Sequence, residues 1–232
     1  MNIHSATIKG PKKEKLQDAL GIINQKYFNL FIVADGLGSS KYSDYGAKKA
    51  IIAVEKAANQ WRKLEKKDKR VLLQLIHFYW NLLIHDSDFD KKDCLTTCLF
   101  AYVDKLNKKI ILGQLGDGVL FFESKEETVL VKSSDDYNFT KSLGYSKSFD
   151  DWNIKSLNFD INDFTLLIAT DGVSEDLVEG KESEFAKMLI EEMQKLKRNK
   201  RNNYLSQLLK NWPTKFHSDD KTICIAWEKK RK

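Results

Sequence analysis

Leu166-Leu167-Ile168-Ala169-Thr170-Asp171-Gly172 is the stretch on which the fold turns. Four apolar residues and a threonine read as a buried strand, and that strand stops on a carboxylate followed by glycine. Three more elements are built alike. Phe31-Ile32-Val33-Ala34 ends on Asp35-Gly36, the run 110–115 ends on Gly116-Asp117-Gly118, and Ser218-Asp219-Asp220-Lys221 opens the run 222–227. A carboxylate at the edge of an apolar sheet is costly to desolvate without a compensating positive charge. Four such groups on one sheet edge would repel one another unless a cation held them. The simplest repair is a pair of hard divalent ions, so the pattern reads as a metallohydrolase centre.

The bulk numbers narrow the setting. At 232 residues the chain suits one full-core domain, 1–232, better than two. Only 2 prolines and no Gly/Ser-rich stretch argue against linkers and disorder. No apolar run approaches the ~20 residues of a membrane span, and the first 15 residues lack a signal-peptide core. A cytoplasmic, monomeric protein is expected. Cys94, Cys98 and Cys224 lie in or beside apolar runs and read as small buried hydrophobes rather than disulfide partners.

The net charge of +6 comes largely from lysine, densest at 63–70, 195–201 and 229–232. Such blocks can bind nucleic acid. Here the first two lie on or between amphipathic helices, where lysine forms the solvated face, and no nucleic-acid motif accompanies them. No nucleic-acid partner is expected, and weak attraction to acidic partners stays open.

Apolar alternation and β-branched content place strands near 3–9, 18–23, 29–34, 97–104, 109–115, 119–124, 128–132, 154–157, 165–170 and 222–228. Helical periodicity appears in two pairs, 43–63 with 71–84 and 184–197 with 203–209. Strand runs separated by paired helices point to an α+β chain with mostly antiparallel sheets. The polar stretch 132–152 reads equally well as a loop flanking the active site or as a surface connection.

The Asp-Gly pairs have a chemical use. Glycine lets the chain turn sharply and brings a backbone carbonyl near the same point. Mg²⁺ and Mn²⁺ prefer oxygen ligands and retain several waters. Two such ions about 3.5–4 Å apart can share a water, lower its pKa and aim it at phosphorus. One Asp-Gly alone is ordinarily a turn. The weight lies in four acidic elements, all abutting apolar runs.

In order and context these motifs resemble the metal-dependent protein phosphatases of type 2C, in their compact bacterial form, over essentially the whole length. Phe31 to Gly38 resembles the family's first apolar-Asp-Gly motif, with Tyr45-Gly46-Ala47 opening the long helix. Leu95-Thr96-Thr97 resembles the Gly-Thr-Thr strand entry, with Leu95 where glycine is usual. Gly116-Asp117-Gly118 is similar to Gly-Asp-Ser, Thr170-Asp171-Gly172 to Thr-Asp-Gly, and Asp219-Asp220-Lys221-Thr222 to the final Asp-Asn/Asp-x-Thr. Leu16-Gln17-Asp18-Ala19 resembles the N-terminal signature, from which Leu16 departs.

The resemblance implies a four-layer α-β-β-α sandwich of two antiparallel sheets flanked by helix pairs. It implies two Mn²⁺ or Mg²⁺ ions, with a third, looser one in bacterial members. Asp35 would bridge both ions, Gly36 would offer its carbonyl, and Asp171 and Asp219 would hold the second. Asp117 would support the third with Asp171, and Asp18 would lie close by. Asp35, Asp171 and Asp219 would be the catalytic set. The implied reaction is hydrolysis of phosphoserine and phosphothreonine in a phosphorylated protein substrate, with a cognate Ser/Thr kinase as counterpart. Three departures matter. Many members carry a phosphate-binding Arg upstream of the Asp18 signature, where this chain offers Lys9, Lys12, Lys13 and Lys15; lysine lacks the bidentate fork. Leu37 stands where some members have a His proposed as general acid, and the region 118–164 is too short for an elaborate flap.

Other constellations weigh less. His4, His77, His85 and His217 show no ligand spacing; His77 reads as packing, and His217 sits near Asp219. The run 85–97 fails as an EF-hand, since Lys91 replaces the required Gly and Thr97 the Glu. Two alternatives to the protein phosphatase remain: a catalytically weak relative that binds a phosphoprotein or regulator, and a small-molecule phosphohydrolase on the same scaffold.

Overall fold

A computed structural model of the chain describes residues 1–132, 140–213 and 218–229. Among the described residues ten strands form two antiparallel sheets of five. In chain order they are β1 (Asn2–Ile8), β2 (Ala19–Asn24), β3 (Phe28–Ala34), β4 (Cys98–Asp104), β5 (Lys109–Leu115), β6 (Val119–Ser124), β7 (Thr128–Lys132), β8 (Asn153–Asn158), β9 (Phe164–Ala169) and β10 (Lys221–Glu228). One sheet runs β1-β10-β9-β6-β7, the other β2-β3-β4-β5-β8. The helices are α1 (Ser43–Trp61), α2 (Lys69–His85), a single turn α3 (Asp171–Ser174), α4 (Glu182–Gln194) and α5 (Arg201–Lys210).

Three apolar layers make four layers of backbone. Successive side chains of a strand point to opposite faces. On β3, Phe28, Leu30, Ile32 and Ala34 pack against α1 and α2, while Phe31 and Val33 face the other sheet. On β10, Cys224 and Ala226 enter the space between sheets, while Ile223, Ile225 and Trp227 pack beneath α4 and α5. Every residue of β3, β4 and β9 is therefore buried. That double burial is why these strands read as unbroken apolar runs; clean alternation survives only at an edge such as β7. The four-layer α+β expectation holds.

The helix pairs have local causes. Asp68 caps α2 by accepting from the Arg70 N–H, the use expected of Asp just before a helix. The Trp80 indole donates to the Gly46 carbonyl at 3.0 Å, tying α2 to α1. A Cβ on Gly46 would meet the Cys94 carbonyl at 1.8 Å, so only glycine permits that approach. The three cysteines are free and buried. His77 accepts from the Trp152 indole at 2.9 Å, the packing role expected of it. Among the described residues no helix is long and apolar enough to cross a membrane.

Register sets the site. Ala19 pairs with Ala34 across β2 and β3, so Asp18 and Asp35 leave the sheet side by side. Ala169 pairs with Ile223 and with Val119, which brings 170–171, 219–222 and 116–118 to the corresponding end of the other sheet.

Candidate metal centre

Asp35 continues β3 beyond its last paired residue, and two threonines hold its backbone. The Thr97 N–H and the Thr96 hydroxyl both donate to the Asp35 carbonyl at 2.8 Å, and the Asp35 N–H donates to Thr97 Oγ1 at 2.9 Å. The Thr-Thr pair is therefore a clamp on the carboxylate's backbone. The Gly36 N–H donates to the Gln17 carbonyl at 3.2 Å, and its own carbonyl accepts no backbone hydrogen bond among the described residues. A Cβ on Gly36 would lie 2.6 Å from the Ser43 backbone, so α1 starts directly against this turn.

A second pair of threonines orients Asp18. Thr170 donates its hydroxyl to Asp18 Oδ2 at 3.0 Å, and the same oxygen of Thr170 accepts from the Thr222 N–H at 3.0 Å. Asp18 is buried, and its Oδ1 has no hydrogen-bond partner among the described residues. Asp171 begins α3, and its Oδ1 accepts from the Gly172 N–H at 2.6 Å. A Cβ on Gly172 would meet the Asp220 carbonyl at 1.9 Å, which holds α3 against the start of β10.

The carboxylates act on one another. Burial pushes Asp18 up to about 6, with Asp220 adding to the rise. Burial also pushes Asp171 up to about 7, followed by the charges of Asp219, Asp18 and Glu175. Asp35 is driven well above the usual carboxylate range by burial, then by Asp171, Asp18 and Asp219. Asp18, Asp35, Asp171 and Asp219 thus form one electrostatically coupled group. Asp117, on the turn made by the positive-φ Gly116 and Gly118, accepts from the Thr140 hydroxyl at 2.8 Å. It is not among the leading charges acting on Asp18, Asp35 or Asp171. The segment 140–143 therefore flanks the site: Thr140 holds Asp117, and the Leu143 N–H donates to the Thr96 carbonyl.

Of the four lysines, Lys13 alone reaches the carboxylates. Its ammonium lies 2.6 Å from Asp219 Oδ1 and donates to Gln17 Oε1 at 3.0 Å. Lys15 turns away to Asp44 and the Lys41 carbonyl, Lys9 donates to the Glu14 carbonyl, and Lys12 is exposed. His217 lies outside the described residues.

Sequence reasoning assigned no role to Asp220. Its buried carboxylate accepts from the Gly10 N–H at 2.7 Å and the Gln17 N–H at 2.6 Å, pinning residues 10–17 beside the cluster. The signal was present in the doubled Asp219-Asp220, but its division of labour depends on which carboxylate turns inward.

The donor set suits a hard cation. Oxygen ligands predominate, one buried carboxylate oxygen is orphaned, and burial, with neighbouring carboxylates adding to it, raises three carboxyls. Among the described residues no three acidic, His or Cys side chains close into a cage around a single ion. That openness fits ions that keep most of their water.

The comparisons bear on the family and the fold. A family model described as protein phosphatase 2C matches residues 11–210. No curated protein matches the chain. Among solved structures, the serine/threonine phosphatase Stp1 from Staphylococcus aureus is similar at 21% identity and TM-score 0.71, covering 98% of this chain and 95% of that one. RsbX, solved in complex with magnesium, is similar at 14% identity and TM-score 0.62, covering 95% and 92%. The phosphatase domain of SpoIIE from Bacillus subtilis, with a fragment of its regulatory domain, is similar at 15% identity and TM-score 0.65, covering 100% and 64%. Because that family model spans residues 11–210, most of its length, the chain belongs to the protein phosphatase 2C family.

Proposed function

We propose that the chain hydrolyses phosphoserine and phosphothreonine in proteins, using two Mn²⁺ or Mg²⁺ ions. The observation that carries this is the gathering of Asp18, Asp35, Asp171 and Asp219 at one end of the sheets, where burial and then the neighbouring carboxylates disfavour the charged forms of Asp35 and Asp171, a cost that a bound cation would offset. Asp35, Asp171, Asp219 and the Gly36 carbonyl would hold the ions, with Asp18 alongside and Asp117 supporting a third. Such ions supply Lewis acidity, lowering the pKa of water and neutralising phosphate oxygens.

The chain's own residues do the rest. The two threonine pairs fix the angle at which Asp35 and Asp18 face the site. Lys13, held by Gln17, stands beside Asp219 as a point charge for the phosphate. In the reaction a water oxygen bonds to phosphorus, the ester P–O bond breaks, and the alkoxide takes a proton to leave as the free hydroxyl. Leu37 has no proton to give, so that proton comes from water.

Purified protein with Mn²⁺ is assayed on p-nitrophenyl phosphate and on a phosphothreonine peptide. Turnover of the peptide, lost by about a hundredfold or more in Asp171→Asn, is the expected result. Turnover of the small ester alone would indicate a small-molecule phosphohydrolase, and metal binding without turnover a binding module.

A further inference from the structure

The basic block 63–70 takes no part in the site just described. Most of it faces solvent, but Lys67, Asp68 and Lys69 form one wall of a cleft of about 700 Å³ at the opposite end of the sandwich from the carboxylates. The register explains the cleft. Tyr102, Ile111 and Ser156 stand in one row across β4, β5 and β8 on the helix side, and Asp104, Lys109 and Asn158 in the next. Helix α1 ends at Trp61 and α2 begins only at Lys69, so the helix layer stops short of these rows.

Three lysines line it: Lys67 and Lys69 from the end of the connection and the start of α2, and Lys109 from the sheet. None of the three is ion-paired among the described residues. Both carboxylates in the wall accept local hydrogen bonds, so the lining carries three positive charges against two negative ones. Asp68 caps α2, and Asp104 accepts from the N–H groups of Leu106 and Asn107 and from the Asn107 amide. The floor is apolar, made by the buried Trp61, Tyr102 and Ile111. Ser156 also lines it, its hydroxyl buried and without a hydrogen-bond partner among the described residues. Like charges around a cavity repel, and a buried hydroxyl lacking a partner is costly.

We propose that this cleft binds a small phosphorylated metabolite, its phosphate groups held by Lys67, Lys69 and Lys109 and its body seated on the apolar floor. The volume falls within the range of small-ligand sites, and charge-assisted contacts to phosphate are the strong kind. The site is separate from the phosphatase centre and does not depend on the chain being a phosphatase.

The Trp61 indole donates to the Asp68 carbonyl at 2.7 Å inside the cleft wall, which makes it a reporter. ¹⁵N-labelled chain in EDTA is titrated with inorganic pyrophosphate while the Trp61 indole resonance is followed. A saturable shift is expected, with affinity falling about tenfold or more in Lys67→Gln/Lys69→Gln/Lys109→Gln and unchanged in Lys13→Gln. Circular dichroism checks that each variant is folded. Three results would overturn the proposal: no saturable shift into the millimolar range, equal affinity in the triple variant, or affinity for oligothymidylate that rises with strand length, the mark of a nucleic-acid track.

Discussion

Thr97 shows how much of a metal centre is decided by residues that hold no metal. Its hydroxyl accepts the Asp35 N–H and its own N–H donates to the Asp35 carbonyl, so the carboxylate's direction is set before any ion arrives. Groups that orient metal ligands are typically worth about 10–100-fold in affinity. Thr97→Val keeps the β-branched shape but removes the acceptor. Calorimetric titration with Mn²⁺ should show binding weakened by about tenfold; an unchanged dissociation constant would mean that the clamp serves folding alone.

At the scale of elements, the N-terminal segment before β2 is the piece with least core of its own. Most of its side chains between Pro11 and Leu16 are exposed or half-buried, and it is held chiefly by the two N–H groups that Asp220 accepts. Hydrogen bonds to a charged group contribute about 1.5–3 kcal/mol each. Asp220→Ala should therefore cost about 3 kcal/mol or more in urea unfolding. It should also release Lys13 from its place beside Asp219, which would appear as a raised KM for the phosphopeptide. Loss of stability with KM unchanged would show that Lys13 does not grip phosphate.

For the whole molecule, the gathered carboxylates are a liability whenever no cation is bound. An unfolded Asp titrates near about 3.9, whereas folding raises Asp18 to about 6 and Asp171 to about 7. The folded chain therefore binds these protons more tightly than the unfolded chain. Their stabilising contribution is complete below about pH 4 and is lost as pH rises through about 6 to 7. The metal-free protein should show a falling Tm over that window, and Asp171→Asn a shallower fall. His4 and His77, held below the ordinary imidazole range chiefly by burial, act in the opposite sense, but equally in both proteins. The difference between the two curves thus isolates the carboxylates, and identical curves would refute the repulsion on which the metal reading rests. Saturating Mn²⁺ should raise the Tm most at the high end of the window.

The chain by itself determined the elements and the acidic set. Apolar runs ending on Asp-Gly marked β3 and β9, 3.6-residue periodicity marked the long helices, and the order of motifs pointed to the family, because burial and turn chemistry are written locally. It did not show the single turn α3, which is too short to have a period. What the tertiary structure decided lay in contacts between distant residues. It distinguished Lys13 from Lys9, Lys12 and Lys15, turned Asp220 inward and Asp219 toward the site, and paired each threonine clamp with its carboxylate. Those choices depend on strand register and on which face a side chain meets, and neither exists until both sheets are packed together.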